Sequence, residues 1–226
     1  MYEDERSYRL FRRRYFNPDV TSYVRGERAL VDRMLRSKNV LIEVGCGKGE
    51  YAATALGAGV DYIGIDPSEY FIEQARRRIS RLSGASATLI CGSGCDMAPL
   101  YAEAGGVNAL ILVPFNCLGN MTSHVEFFEA LVTTEAELLI SLFDTTSRAS
   151  AARCDYYIRA GFSSRRQTLR DRVLFKGPRG FRSTAYQADA IRRLAARMGI
   201  DLARLRLGTV GYGLVRTVTD LSIWRD

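Results

Sequence analysis

The sequence predicts an α/β domain with a doubly wound, mostly parallel sheet behind an N-terminal helical cap. Three observations carry that reading. From residue 40 onward, short runs of β-formers alternate with stretches of helical periodicity. The first run passes through Glu43 into a glycine turn, Gly45-Cys46-Gly47-Lys48-Gly49, and then into helix-favouring residues. Two late strands follow the last helix with little between them, as in an antiparallel pair.

Composition sets the bounds. At 226 residues and 47% hydrophobic content the chain can enclose one full-sized core. No apolar run approaches the roughly 20 residues that span a bilayer. The opening Met-Tyr-Glu-Asp-Glu-Arg lacks the basic start and apolar centre of a secretion signal, so a cytoplasmic protein without membrane contact is expected. Cysteines at 46, 91, 95, 117 and 154 are odd in number and irregular in spacing, against a disulfide framework. Cys91 and Cys95 form the one close pair and no histidines cluster with them, so no metal site is expected. The net charge of +7 invites a nucleic-acid partner. The cations are nearly all arginine and are spread along the chain, which weakens that inference.

In chain order, residues 1–36 form the cap, rich in aromatics (Tyr2, Tyr8, Phe11, Tyr15, Phe16, Tyr23) and broken by Asn17-Pro18-Asp19 into two predicted helices. Leu30, Val31 and Leu35 mark a stripe that can lie on the sheet. The cap is either a lid over ligands or a packing layer, and Tyr23 is its candidate ligand contact. Val40 to Val44 is the first strand. The glycines after it let the backbone turn sharply and approach a ligand. Their G-x-G-x-G spacing, with Glu43 just before, differs from the dinucleotide fingerprint and suits a cationic ligand better than a pyrophosphate. On this motif the chain resembles the class I S-adenosylmethionine-dependent methyltransferases.

Residues 60–67 form a second strand ending in Asp66-Pro67, near the interval of about 20 residues at which a ribose-binding carboxylate follows such a turn. Pro67 and Ser68 also suit a helix start, so Asp66 can be read as a cap instead. Ile72, Ala75, Ile79 and Leu82 share a helical face beyond it. Ala87 to Cys91 is the third strand. The resemblance implies that the loop after it edges the adenine, through Ser93 or Asp96. Val107 to Val113 is the fourth strand, leading into Pro114-Phe115-Asn116-Cys117, a loop expected to face both cofactor and acceptor. It lacks the double proline of base-amino methyltransferases and the Pro-Cys of cytosine C5 enzymes, which favours a small acceptor. Asn116 is a candidate to orient that acceptor. His124, the single histidine, is a candidate general base, or else the exposed first turn of a helix over 125–131.

Glu137 to Asp144 is the fifth strand, followed by a helix that Gly161 stops. A hairpin from 163–167 and 172–175 lies in an insertion over about 145–183, read as an acceptor-specificity element or a homodimer contact. A helix carrying Ala190, Ile191, Leu194 and Met198 precedes strands near 205–210 and 212–218. The resemblance implies a Rossmann-like, seven-stranded domain over 37–226 and methyl transfer from S-adenosylmethionine to a nitrogen or oxygen of a small molecule. It assigns Glu43, Gly45, Cys46, Gly47, Gly49, Asp66, Pro67, Ser93 or Asp96, and Pro114 to the cofactor. RNA or protein methylation, and a non-catalytic partner subunit, are the alternatives.

Overall fold

A computed structural model describes residues 7–105 and 108–216. Tyr2, Val107, Thr217 and Val218, which the sequence placed in the cap and at strand ends, lie outside the described residues.

The cap departs from two helices. Its first half is a pair of 3-10 turns, Ser7–Phe11 and Arg13–Tyr15. Its second half is α1 (Pro18–Leu35), started by the Asn17 side chain, which accepts from Val20 N, and by Pro18 in the first turn. Asn17 also donates to Ala152 O at 2.8 Å, tying the cap to the body. The strands and helices that follow are β1 (Val40–Val44), α2 (Ala52–Gly57), β2 (Asp61–Asp66), α3 (Glu69–Ile79), β3 (Ala87–Cys91), α4 (Met97–Glu103) and β4 (Ala109–Val113). Next come α5 (His124–Val132), β5 (Glu137–Phe143), α6 (Ser147–Arg159), β6 (Arg165–Thr168), β7 (Arg172–Lys176), β8 (Arg182–Tyr186), α7 (Ala188–Ala196), β9 (Ala203–Leu207) and β10 (Gly211–Arg216). Leu82 falls outside its predicted helix, which stops at Ile79, and is solvent-exposed.

The main sheet has seven strands in the order β3-β2-β1-β4-β5-β10-β9, with β10 antiparallel to both neighbours. β1, β4 and β5 are buried along their whole length because helices cover both faces, which is why they read as unbroken apolar runs. One core packs α1, α2, α3 and α6 on one face; the other packs α4, α5 and α7 on the opposite face. The cap helix therefore shares its core with the sheet and is a packing layer, while the 3-10 turns before it overhang the strand ends.

The predicted hairpin is real but incomplete. β8 joins it to make a separate three-stranded sheet, β6-β7-β8. The sequence hid β8 because it is buried on both faces from Ser183 to Tyr186, and two of those buried residues, Ser183 and Thr184, are polar. Ser183 accepts at 2.9 Å from Arg153, a fully buried arginine that also donates to Tyr157 and lies 4.3 Å from the Phe175 ring centre. Thr184 O accepts from the Asn116 amide at 3.0 Å, so this small sheet is seated on the loop after β4.

Candidate active site

The strand order reverses between β1 and β4, and a cavity of about 440 Å³ opens at the carboxyl ends of these strands. Clefts of roughly 300–1,000 Å³ at such switch points are where α/β sheets bind small ligands.

One wall is the turn after β1. Gly45 and Gly47 hold φ of +75° and +54°, conformations that cost other L-residues. A Cβ at Gly45 would overlap Cys117 Sγ, whereas a Cβ at Gly47 would meet nothing within 4 Å. Gly45 thus lets the turn pack on the β4 loop, and Gly47 keeps the cradle open. Asp66 closes the turn from β2: its Oδ2 accepts from Gly47 N and its Oδ1 from Ser68 N, both at 2.9 Å. Burial raises its carboxyl above the ordinary range, against those two backbone bonds. Each oxygen retains a lone pair.

Glu43 is fully buried at the end of β1. Its Oε2 accepts from the Tyr62 hydroxyl at 2.6 Å and from Tyr51 N at 3.2 Å, and its Oε1 has no partner. Burial pushes its carboxyl up to about 8. A buried acid with one satisfied and one orphaned oxygen at the cavity wall suits a cationic ligand, which would favour its carboxylate form.

The opposite wall comes from the cap and the β4 loop. Phe11, Phe16, Val24 and Phe115 line it together, with ring centres of Phe11 and Phe16 at 6.2 and 5.4 Å from that of Phe115, in direct contact. Phe115 and Asn116 stand consecutively at φ of +43° and +62°, an arrangement that bulky residues adopt only when their surroundings compel it. Phe115 N donates to Glu27 Oε2 at 2.7 Å, Asn116 N donates to Ser141 O at 2.8 Å, and the Asn116 side chain is bonded at both ends.

Glu27 was not legible as a site residue, although it lines the cavity from α1. Its Oε1 accepts from the Tyr51 hydroxyl at 2.5 Å, so Tyr51 bridges Glu27 to Glu43. Burial raises its carboxyl; bonds from Ser141, Tyr51 and Phe115 N oppose the rise. The available signal was an acid among Val20, Tyr23, Leu30 and Val31 on the inward face of a helix.

A family description of the methyltransferase domain matches residues 42–104, which hold the glycine turn, Asp66 and the loop after β3. The fold agrees with magnesium protoporphyrin IX methyltransferase from Synechocystis PCC 6803, solved with bound SAH. That likeness has a TM-score of 0.60 at 16% identity and covers 94% of each chain. The match and the likeness give the chain a Rossmann-like methyltransferase fold, with a methyltransferase-domain match within its first half. A second similar structure is the 1,6-didemethyltoxoflavin-N1-methyltransferase of Burkholderia thailandensis, with TM-score 0.52 and 12% identity, covering 89% of this chain and 85% of that one. No curated protein sequence matches the chain.

Glu43, Gly45, Cys46, Gly47, Asp66, Pro67, Ser93 and Pro114 all meet at the cavity wall. Gly49 lies behind the turn, packed against Ile79. Four of the candidate residues lie away from the cavity surface. Asp96 is not in the wall: its carboxylate accepts from Ser93 N at 2.7 Å in a capping box, which leaves Ser93, Gly94 and Cys95 at the surface of the cavity. Tyr23 is buried, with its hydroxyl 2.6 Å from Ser141 Oγ and its ring stacked on Phe115, so it supports the wall from behind. Asn116 points its amide away from the cavity, to Ser183 and Thr184 O on β8. His124 opens α5 outside the cavity wall, with Nε2 2.8 Å from Leu118 O and its ring edge-on to Tyr186. The described residues contain no cluster suited to a metal ion, and no helix among them is long and apolar enough to cross a membrane.

Proposed function

We propose that the chain transfers a methyl group from S-adenosylmethionine to a nitrogen or oxygen of a small-molecule acceptor. The observation that carries this is one cavity with two unlike walls. A cradle with an orphaned buried carboxylate oxygen lies on one side, and an aromatic wall roofed by the cap lies on the other. The cradle fits S-adenosylmethionine, which carries two positive charges and no phosphate. Glu43 Oε1 would receive a cation, Gly47 leaves room for close backbone approach, and Asp66 offers its free lone pairs to ribose hydroxyls. Ser93, Gly94 and Cys95 would border the adenine, with Pro114 and Phe115 between donor and acceptor.

When bound, the cofactor supplies a methyl group on an already activated sulfonium. The work left to the chain is alignment, and positioning of this kind lowers barriers by up to roughly 7–11 kcal/mol. Phe115 is fixed for that task by the bond from its N–H to Glu27 and by the Asn116 clip beside it. Tyr51 couples the cap's Glu27 to the cradle's Glu43, so the two walls hold a common spacing.

Calorimetric titration with S-adenosylmethionine, S-adenosylhomocysteine and NAD tests the reading. Micromolar binding of the first two and none of NAD is expected; no binding of the first two would overturn it.

A second reading, an acceptor on RNA, is favoured by one observation. Arg165, Lys176 and Arg182 pair in register across the small sheet and are all exposed. Like charges side by side on a sheet cost stability. This reading predicts RNA binding whose affinity falls steeply with salt, and filter binding at two ionic strengths decides it.

A further inference from the structure

The acceptor wall carries more information than its size. Phe11 and Phe16 pack directly on Phe115, and the three rings line the cavity together with Val24 as one apolar wall. A cluster of partly exposed rings on a cavity wall favours a further flat ring beside it, through offset or edge-on contact.

The charges around this wall are unevenly committed. Glu27 is occupied by donors from Tyr51 and Phe115. Glu43 faces the cradle, where the cofactor's charge would balance it. Glu50 is shared between Arg78 at 3.4 Å and Arg28 at 3.9 Å. Arg28 also lies over the Tyr51 ring, 5.0 Å from its centre, and its Nε is buried at the cavity wall with no hydrogen-bond partner. Arg13, exposed at the same wall, makes no ion pair among the described residues. A buried guanidinium N–H without an acceptor is costly unless a ligand supplies one, and carboxylates match that donor best.

Resting on the methyltransferase reading, we propose that the acceptor is a small planar aromatic compound bearing a carboxylate or similar anionic group. Its ring lies against Phe11, Phe16 and Phe115, and its anion is taken by Arg28 Nε with Arg13 at the rim. Methyl transfer then forms a bond from an acceptor nitrogen or oxygen to the methyl carbon as the carbon–sulfur bond breaks. The electron pair leaves on sulfur, and the acceptor's proton, where it has one, passes to solvent.

Matched pairs of acceptors test this: 4-hydroxybenzoate against its methyl ester, and 6-hydroxy-2-naphthoate against its methyl ester. Each is supplied with S-adenosylmethionine and followed by mass spectrometry. Binding of 2-naphthoate against 2-naphthamide, in the presence of S-adenosylhomocysteine, gives a readout that needs no turnover. The acid is expected to exceed its neutral partner by at least about tenfold in both assays. Arg28→Gln should bring that ratio to about one, with cofactor titration and circular dichroism reporting that the variant is folded. Equal or better use of the esters, an acid preference that survives Arg28→Gln, or no binding of any aromatic acid at millimolar concentration overturns the acceptor class while the cofactor reading stands. Failure of the wild type to bind S-adenosylmethionine overturns both.

Discussion

The two walls of the cavity are built on opposite principles. The cradle is made of backbone: glycines at positive φ, a carboxylate that ties the turn to the next strand, and a buried acid left half satisfied. The acceptor wall is made of side chains drawn from distant parts of the chain, held by a strained loop and a buried acid on the cap. A backbone cradle fixes one ligand shape for any chain that keeps the glycines. A side-chain wall can change its ligand with single substitutions. The difference teaches that damage to the two walls should register in different measurements.

The largest expected effect is at Gly45. An alanine Cβ would overlap Cys117 Sγ, and the residue would be held at φ +75°. Strain of about 1–2 kcal/mol plus the displaced loop predicts loss of S-adenosylmethionine affinity beyond about 150-fold. Adding Cys117→Ala should recover the steric part and leave the strain, so the double variant binds better than the single one in the same titration. Because Cys117 belongs to the β4 loop, equal defects in both variants would show that the cradle and the acceptor wall do not interlock at this contact.

Asp66→Ala comes next. Removal of charge-assisted bonds is worth about 1.5–3 kcal/mol, or roughly ten- to 150-fold in cofactor affinity. The upper part of that range is expected, because Asp66 also holds Gly47 N in place. Titration with S-adenosylhomocysteine checks it, and a change below twofold would remove Asp66 from the cofactor site.

Glu43 sharpens the contrast through pH. Burial raises its carboxyl to about 8 in the fold, so at pH 7 it is mainly protonated. A cation beside Oε1 favours the carboxylate; binding therefore releases a proton, and affinity climbs as pH rises toward 8, then levels. For the empty protein the sign is opposite. A carboxyl raised in the fold binds protons more tightly than in the unfolded chain, so stability declines as pH rises from the ordinary glutamate value through about 8. Glu43→Gln should abolish proton release, lower affinity about tenfold above pH 8 and remove that part of the decline. Calorimetry in buffers of different ionisation enthalpy, with thermal unfolding across pH, measures all three.

The same division governs what could be read from the sequence. The sheet, its strand ends and the glycine turn were legible because they depend on local chemistry: β-formers, positive-φ glycines and acids at strand ends. Gly45 and Asp66 are recognisable from spacing alone. The acceptor wall was not, because its residues act through contacts across the fold. Glu27 is an acid on an apolar helix face whose partners are 24 and 88 residues away. β8 escaped because a strand with buried Ser183 and Thr184 has no apolar alternation. Asp96 and Asn116 have residue types that suit ligand contact, and local geometry spends both elsewhere, one on a capping box and the other on an inter-sheet clip.

His124 provides the smallest expected effect and the closest test of that division. A lone histidine near an active-site loop is the residue type a sequence reading selects for proton transfer. In the fold its Nε2 is 2.8 Å from Leu118 O, which fixes Nε2 as the donor, and its ring packs on Tyr186. His124→Ala should therefore cost about 0.5–1.5 kcal/mol of stability, the net worth of one hydrogen bond. It should leave kcat within about twofold and the shape of the pH–rate profile unchanged, since a general base ordinarily contributes about 10²–10⁴-fold. A fall beyond tenfold, with cofactor affinity intact and a lost limb in the pH profile, would mean that the loop rearranges when acceptor binds. His124 would then act from a position other than its contacts with Leu118 O and Tyr186, and the β4 loop would be a moving part rather than a fixed wall.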